Sequence, residues 1–186
     1  MKLIHAAALA AFVFVSSLAT PIAFAQSTDP ENTILLDVKA GRVVIRLRPD
    51  LAPNHVKRIK RLAREKFYDG LKFHRVLTGF MAQTGDPLGN GTGGSDYPDL
   101  KAEFSDAHFT RGVAGMARSS DPDSANSQFF IMYGNAEWLD GQYTIWGEVV
   151  SGMKFLDAVK QGDPDNNGAV ANPDTIIRMR VAADVQ

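Results

Sequence analysis

The sequence predicts a mainly β fold, one closed eight-stranded antiparallel barrel with an α-helix over each mouth. Three observations predict it. About eight short β-rich runs alternate with Gly, Pro, Asn and Asp turn signals, two stretches carry a helical period, and no segment repeats another. Setting aside a 25-residue N-terminal address leaves 161 of the 186 residues. That is enough for one sizeable core and too few for two ordinary domains.

The address comes first. Lys2 supplies a positive start, Ala6 to Leu18 an apolar run too short for a membrane span, and Ala23-Phe24-Ala25 a small-residue cleavage site. Residues 1–25 are therefore expected to be a signal peptide, with a periplasmic mature chain beginning at Gln26 that does not span the membrane. Residues 26–32, polar and containing Pro30, read as a flexible leader. The domain proper is expected to occupy residues 33–184.

Thr33 to Val38 and Arg42 to Leu47 form a hairpin around Lys39-Ala40-Gly41. Pro53 opens a helix whose apolar residues Val56, Ile59, Leu62, Ala63 and Phe67 make one stripe, opposite a cationic face of Lys57, Arg58, Lys60, Arg61, Arg64 and Lys66. That face is read as solvated. Later strands are expected over Gly112 to Ala117, Gln128 to Met132, Thr144 to Val150 and Thr175 to Val181, with a second short helix over Met153 to Val159.

Charge and composition exclude several functions. The mature chain carries 19 cationic against 21 acidic residues, which argues against nucleic acid as a partner. No cysteine is present, so neither a disulfide nor a thiol nucleophile is available. His55, His74 and His108 lack metal-ligand spacing, and no G-x-S-x-G occurs. Gly89, Gly91 and Gly94 formally fit G-x-G-x-x-G, but Pro98 would soon interrupt the helix a dinucleotide site needs, so Pro87 to Asp99 reads as a surface loop. Asp163 to Gly168 opens like a calcium loop with Asp174 at the twelfth position. Asp in place of Glu, the preceding Pro173 and a following strand weigh against it, so no metal or cofactor is assigned.

The chemistry concentrates in Phe73 to Asp86, two short strands around Thr78-Gly79. Alternation puts Phe73, Arg75 and Leu77 on one face of the first strand and Met81 and Gln83 on one face of the second. The stretch resembles the FHR...GFM.Q.GD signature of the cyclophilins, the cyclosporin-binding peptidyl-prolyl cis/trans isomerases. Ser127 to Ile131 and Glu137 to Gly141 follow in the order that family requires, and the resemblance runs from about Thr33 to Asp184.

The resemblance implies the barrel closure, prolyl isomerisation as the activity, and proline-containing unfolded or flexible polypeptides as partners. Rotation about a peptide C–N bond faces a barrier of about 18–20 kcal/mol, and the twisted amide localises a lone pair on nitrogen. A fixed donor aimed there binds the twisted amide better than the planar one. Arg75, always charged and planar, is the expected donor, oriented by Gln83. By resemblance the proline socket is Phe80, Met81, Phe130 and Leu139, with Gln128 beside it and Trp138 and Tyr143 along the rim. Ala117 and Arg118 match the segment whose backbone pairs with bound peptide.

Tyr143 stands where animal members commonly have histidine, and Arg118 where they have asparagine. These departures bear on peptide preference. Trp138 implies binding of cyclosporin-type cyclic peptides. A monomer is expected, since no heptad stretch is present. The same groove would also serve a peptide-binding chaperone.

Overall fold

The computed structural model describes residues 29–185. The expected signal peptide and the first three leader residues lie outside them. In chain order the elements are β1 (Thr33–Val38), β2 (Gly41–Leu47), α1 (Pro53–Arg64), β3 (Arg75–Leu77), β4 (Met81–Thr84), β5 (Val113–Met116), β6 (Phe129–Met132), β7 (Ile145–Ser151), α2 (Met153–Asp157) and β8 (Ile176–Val181). The eight strands form one sheet in the order β3-β4-β6-β5-β7-β2-β1-β8, and every neighbouring pair is antiparallel.

The sheet curls but does not close by a ladder, which corrects the expected closed barrel. Its two end strands, β3 and β8, share no ladder: only the segment ahead of β3 meets the start of β8, through one bridge between Lys72 and Thr175 and bonds from the Phe73 N–H to the Asp174 carbonyl (2.9 Å), the Gly70 N–H to the Ile176 carbonyl (2.7 Å) and the Ile176 N–H to the Leu71 carbonyl (2.8 Å). The reason lies in what covers β3. The Val76 N–H donates to the Gly168 carbonyl (2.8 Å), the Gly162 N–H to the Val76 carbonyl (2.9 Å) and the Val170 N–H to the His74 carbonyl (3.1 Å). A three-residue strand has few ladder groups, and loop 162–170 has taken those that β8 would need.

The core divides in two across the sheet. Val76, Ala82, Ala114, Phe129 and Ile131 point into the main core with the hairpin β1–β2, α1 and Trp146. The alternate residues Met81, Val113, Phe130 and Met132 point the other way, into a second cluster with Phe109, Leu139 and Ile145. Strand β6 is thus buried on both faces, which is why Phe129-Phe130-Ile131-Met132 is apolar without alternation. Its outward half becomes the floor of the site.

Helix α1 buries His55, Val56, Ile59, Leu62 and Ala63 and packs against β7 and β8, while α2 packs against β2. The helix stops at Arg64, short of Phe67, because Lys66 is left-handed (φ 60°). Its cationic face is partly matched by carboxylates, two of them from distant parts of the chain. Glu31 pairs with Lys60 (2.9 Å) and Arg64 (2.7 Å), Asp184 with Arg64 (2.8 Å) and Glu65 with Arg61 (3.0 Å). The Arg61 guanidinium also lies 3.9 Å from the centre of the Tyr97 ring. Pro30–Asn32, the last part of the leader, is a single 3-10 turn capped by Asp29. Glu31, in that turn, is the group that docks it on α1.

Ala52 precedes α1 and provides no side-chain cap. Glu103, on the loop ahead of β5, supplies one from about fifty residues away: its carboxylate accepts from the backbone N–H groups of Asn54 (3.1 Å) and His55 (3.0 Å) and pairs with the His55 ring at 2.6 Å. Among the described residues no helix is long and apolar enough to cross a membrane.

Candidate active site

The groove lies on the outer face of β3, β4 and β6, with a volume of about 670 Å³. Register builds its floor. Arg75 sits opposite Gln83 in the β3–β4 pair, Gln83 opposite Phe130 in β4–β6, and Phe130 opposite Gly115 in β5–β6. A guanidinium, a carboxamide and a phenyl ring are therefore lined up across three neighbouring strands.

Phe130 (5% exposed) and Met81 (2%) form the bottom, and Leu139 and Phe80 rise beside them. Phe130 stacks on Phe109 with ring centres 5.7 Å apart and meets Tyr143 edge-on at 5.8 Å. Stacking fixes its plane. Gly115 makes this possible, because a Cβ there would stand 2.7 Å from both the Phe109 and Phe130 rings. Gly115→Ala is accordingly expected to raise KM by tilting Phe130 into the groove and to cost about 1–3 kcal/mol of stability. An unchanged KM in peptide assays would show that the ring relaxes elsewhere.

The polar side of the groove is a relay of hydrogen bonds. The Arg75 Nη1 donates to Gln83 Oε1 (3.2 Å), Gln83 Nε2 donates to Gln128 Oε1 (2.9 Å), and Gln128 Nε2 donates to the carbonyls of Gly91 (3.0 Å) and Gly93 (2.9 Å). Burial against the groove walls lowers the Arg75 guanidinium from its ordinary pKa, partly countered by Tyr143, and it remains a cation. His74, beneath the glycine loop, is lowered by burial with Asp86 opposing, and is a neutral ring. Burial alone would raise the Asp86 carboxyl. The backbone N–H groups of Leu88, Gly91 and Asn90 outweigh it and hold Asp86 below the usual range while it shapes the loop.

The structure brings together nine of the expected site residues around one groove: Arg75, Phe80, Met81, Gln83, Ala117, Arg118, Phe130, Leu139 and Tyr143. Gln128 lines an adjoining polar recess with Gly93, Ser119 and Ser124. Trp138 is 64% exposed and reaches the groove only through Phe80, with ring centres 5.9 Å apart. Arg118 folds back over the Tyr143 ring at 4.4 Å and donates to the Gln142 carbonyl. The expected grouping of Phe73 with Arg75 does not hold. Phe73 precedes β3 and is wholly buried in the main core, because the chain becomes regular only at Arg75.

Sequence reasoning missed Asn167. Its backbone carbonyl accepts from Arg75 Nε (3.0 Å) and its Oδ1 from Arg75 Nη2 (2.9 Å). The calcium-like loop is built differently from a cation cage. Asp163 Oδ1 accepts from the Asp165 N–H (3.0 Å), and Asp174 Oδ2 from the Lys160 N–H (2.9 Å).

An apolar floor beside a fixed guanidinium, on the outer face of a curled antiparallel sheet, defines a site for short stretches of polypeptide. Comparison with known proteins identifies the family. Residues 33–181 match the cyclophilin type peptidyl-prolyl cis-trans isomerase/CLD family. A probable peptidyl-prolyl cis-trans isomerase of Brucella suis is 54% identical, over 96% of this chain and 97% of the relative. A peptidyl-prolyl cis-trans isomerase of Dictyostelium discoideum is 38% identical over 74% of this chain and 90% of its own. Among solved structures, a cyclophilin from Hirschia baltica gives a TM-score of 0.76 at 26% identity, covering 86% of this chain and 77% of its own. A Cryptosporidium parvum cyclophilin crystallised in the presence of the dipeptide Ala-Pro gives 0.74 at 26%, covering 80% of this chain and 98% of its own. The chain belongs to the cyclophilin family. It is a peptidyl-prolyl cis-trans isomerase.

Proposed function

We propose that the chain accelerates rotation about X-Pro bonds in flexible polypeptides by presenting the Arg75 guanidinium to the amide nitrogen as it becomes pyramidal. The observation that carries this reading is the fixed placement of that guanidinium, bonded to Gln83 and Asn167, at the edge of a floor made by Met81, Phe130 and Leu139. Three of its five N–H groups are engaged in those bonds. Among the described residues the two that remain have no partner, which leaves them to meet substrate. A proline ring seated on the floor would place its nitrogen beside them, and a charge-assisted bond there strengthens as the lone pair localises. The residue preceding proline would lie toward Ala117, where main-chain pairing reads backbone more than sequence.

The assay is NMR exchange between cis and trans forms of an Ala-Pro-Phe peptide in the presence of the chain from Gln26. Arg75→Lys keeps the charge but loses the planar fork, and its kcat/KM is expected to fall about tenfold with little change in KM. A full rate in Arg75→Lys would assign the donor role elsewhere. A cyclosporin-type cyclic peptide is expected to inhibit in the same assay, supported by the exposed Trp138 against Phe80, and failure to inhibit would remove that ligand. Export rests on Met1 to Ala25 alone, and recovery of a chain beginning at Gln26 from a periplasmic fraction checks it.

A further inference from the structure

We infer that Asn167 is a positioning residue for catalysis, a chelating clamp that sets the plane and reach of the Arg75 guanidinium. The inference rests on the assignment of Arg75 as the donor to the amide nitrogen. Gln83 alone cannot fix that group. One bond from Nη1 leaves the guanidinium free to swing about it, whereas Nε and Nη2 held together by a single residue define a plane. Asn167 provides both acceptors, its own carbonyl at 3.0 Å and its Oδ1 at 2.9 Å.

The backbone at Asn167 is what lets one residue do this. It is left-handed, φ 50° and ψ 31°, a conformation that asparagine tolerates better than other residues with a side chain. The loop that holds it there is fastened at several points. Asp163 caps the turn through the Asp165 N–H, and its carbonyl accepts from the N–H groups of Asn166 (3.1 Å) and Gly168 (2.8 Å). The Asp163 N–H donates to the Ala169 carbonyl (3.0 Å), and Gly168 passes its own carbonyl to Val76 of β3. Gly168 is left-handed too, and a Cβ there would stand 2.7 Å from Leu77 Cγ, so only glycine lets the loop lie this close to β3. The Asp163 carboxylate, which resembles a calcium ligand in sequence, serves the fastening.

The consequence is kinetic. A donor that must find its angle in each turnover loses part of its advantage, and misplacement by about 1 Å can cost on the order of a hundredfold. Asn167→Gly keeps the left-handed backbone and the carbonyl acceptor and removes only Oδ1. We expect its kcat to fall about tenfold in the Ala-Pro-Phe exchange assay, with KM within about twofold and the melting temperature close to the parent. Asn167→Asp restores an acceptor on a residue that also tolerates this backbone and should regain most of kcat. In an Arg75→Ala background, Asn167→Gly should cause no further loss, since the group it positions is gone.

Asn167→Gly with an unchanged kcat, beside an Arg75→Ala chain that has lost its rate, overturns the clamp and leaves the donor assignment standing. An equal loss from Asn167→Gly with or without Arg75 also overturns it, by showing that the asparagine acts on something else. Full activity in Arg75→Ala would remove the donor assignment and the clamp together.

Discussion

Arg75→Ala is expected to lower kcat/KM for an Ala-Pro-Phe peptide by about 10²–10³-fold, the usual cost of removing one preorganised donor to a developing charge. KM should change by no more than roughly threefold, because the apolar floor of Met81, Phe130 and Leu139 is untouched. Two effects compete. The lost donor acts only on the twisted amide and so falls on kcat. The loosened wall acts on all bound states, since Gln83 and Asn167 lose a shared partner. The first dominates if the two free N–H groups face the amide nitrogen. A variant whose loss falls wholly on KM would show that Arg75 binds peptide uniformly and that the twist is stabilised by other groups. Circular dichroism and a melting curve separate either result from misfolding.

Much of this site is legible in the sequence because its geometry is local. Arg75 and Gln83 face each other across a hairpin whose turn sits between them, and eight residues of separation suffice to predict the pairing. The floor was harder to read from pattern alone. Phe129 and Phe130 are adjacent and both buried, one in each core, and a strand covered on both faces carries no alternation to say which side serves the site. Family resemblance assigns Phe130. Register across β4–β6 and β5–β6 gives the physical reason.

What sequence did not reveal comes from long-range partners. Asn167 reaches Arg75 across 92 residues, and its only local mark is Asn-Gly, a turn signal that points to left-handed backbone without naming an acceptor. The same loop carries carboxylates whose spacing suggests a cation, but Asp163 ties the turn to its own backbone. The cationic face of α1 likewise reads as solvated because Glu31 and Asp184, which neutralise much of it, lie near opposite ends of the domain. Closure failed as an expectation for a related reason. Period and turn signals count strands, but they do not say that a loop will occupy the edge that an eighth neighbour would use.

Glu103 is the residue whose loss is expected to cost the fold most stability. A helix that opens with Ala52-Pro53 lacks a side-chain cap of its own, and the missing cap is itself the signal that one comes from elsewhere. Glu103→Ala would strip the Asn54 and His55 N–H groups of a charged acceptor and leave the wholly buried His55 ring without its 2.6 Å partner. Together these are expected to cost about 2–4 kcal/mol. That corresponds to a fall in melting temperature of roughly 5–15 °C for a domain of this size. Glu103→Gln keeps acceptors for the helix but not the charge, and should lose less. Peptide exchange measured well below the melting range should be nearly unaffected, because Glu103 is not among the residues lining the groove.

Acid should weaken the same junction. Burial lowers the His55 pKa below its ordinary 6.5, against the raising effect of Glu103. Above pH 6.5 the ring is neutral folded and unfolded, and its contribution is fully present. Below 6.5 the unfolded chain takes up a proton that the folded chain resists, so stability falls as pH drops toward the lowered folded value. Glu103 has the same sign. Burial alone would raise its pKa, but the His55 ring and the N–H groups of His55 and Asn54 hold it below 4.5, so its contribution is present above 4.5 and is lost on further acidification. His108, raised by Asp140, runs the other way, but it is largely exposed and screened. Denaturant melts at pH 7.5 and 5.5 should therefore show the lower stability at 5.5. A His55→Gln chain should lose the part of that difference that belongs to the imidazole, and an unchanged difference would place the acid sensitivity elsewhere in the fold.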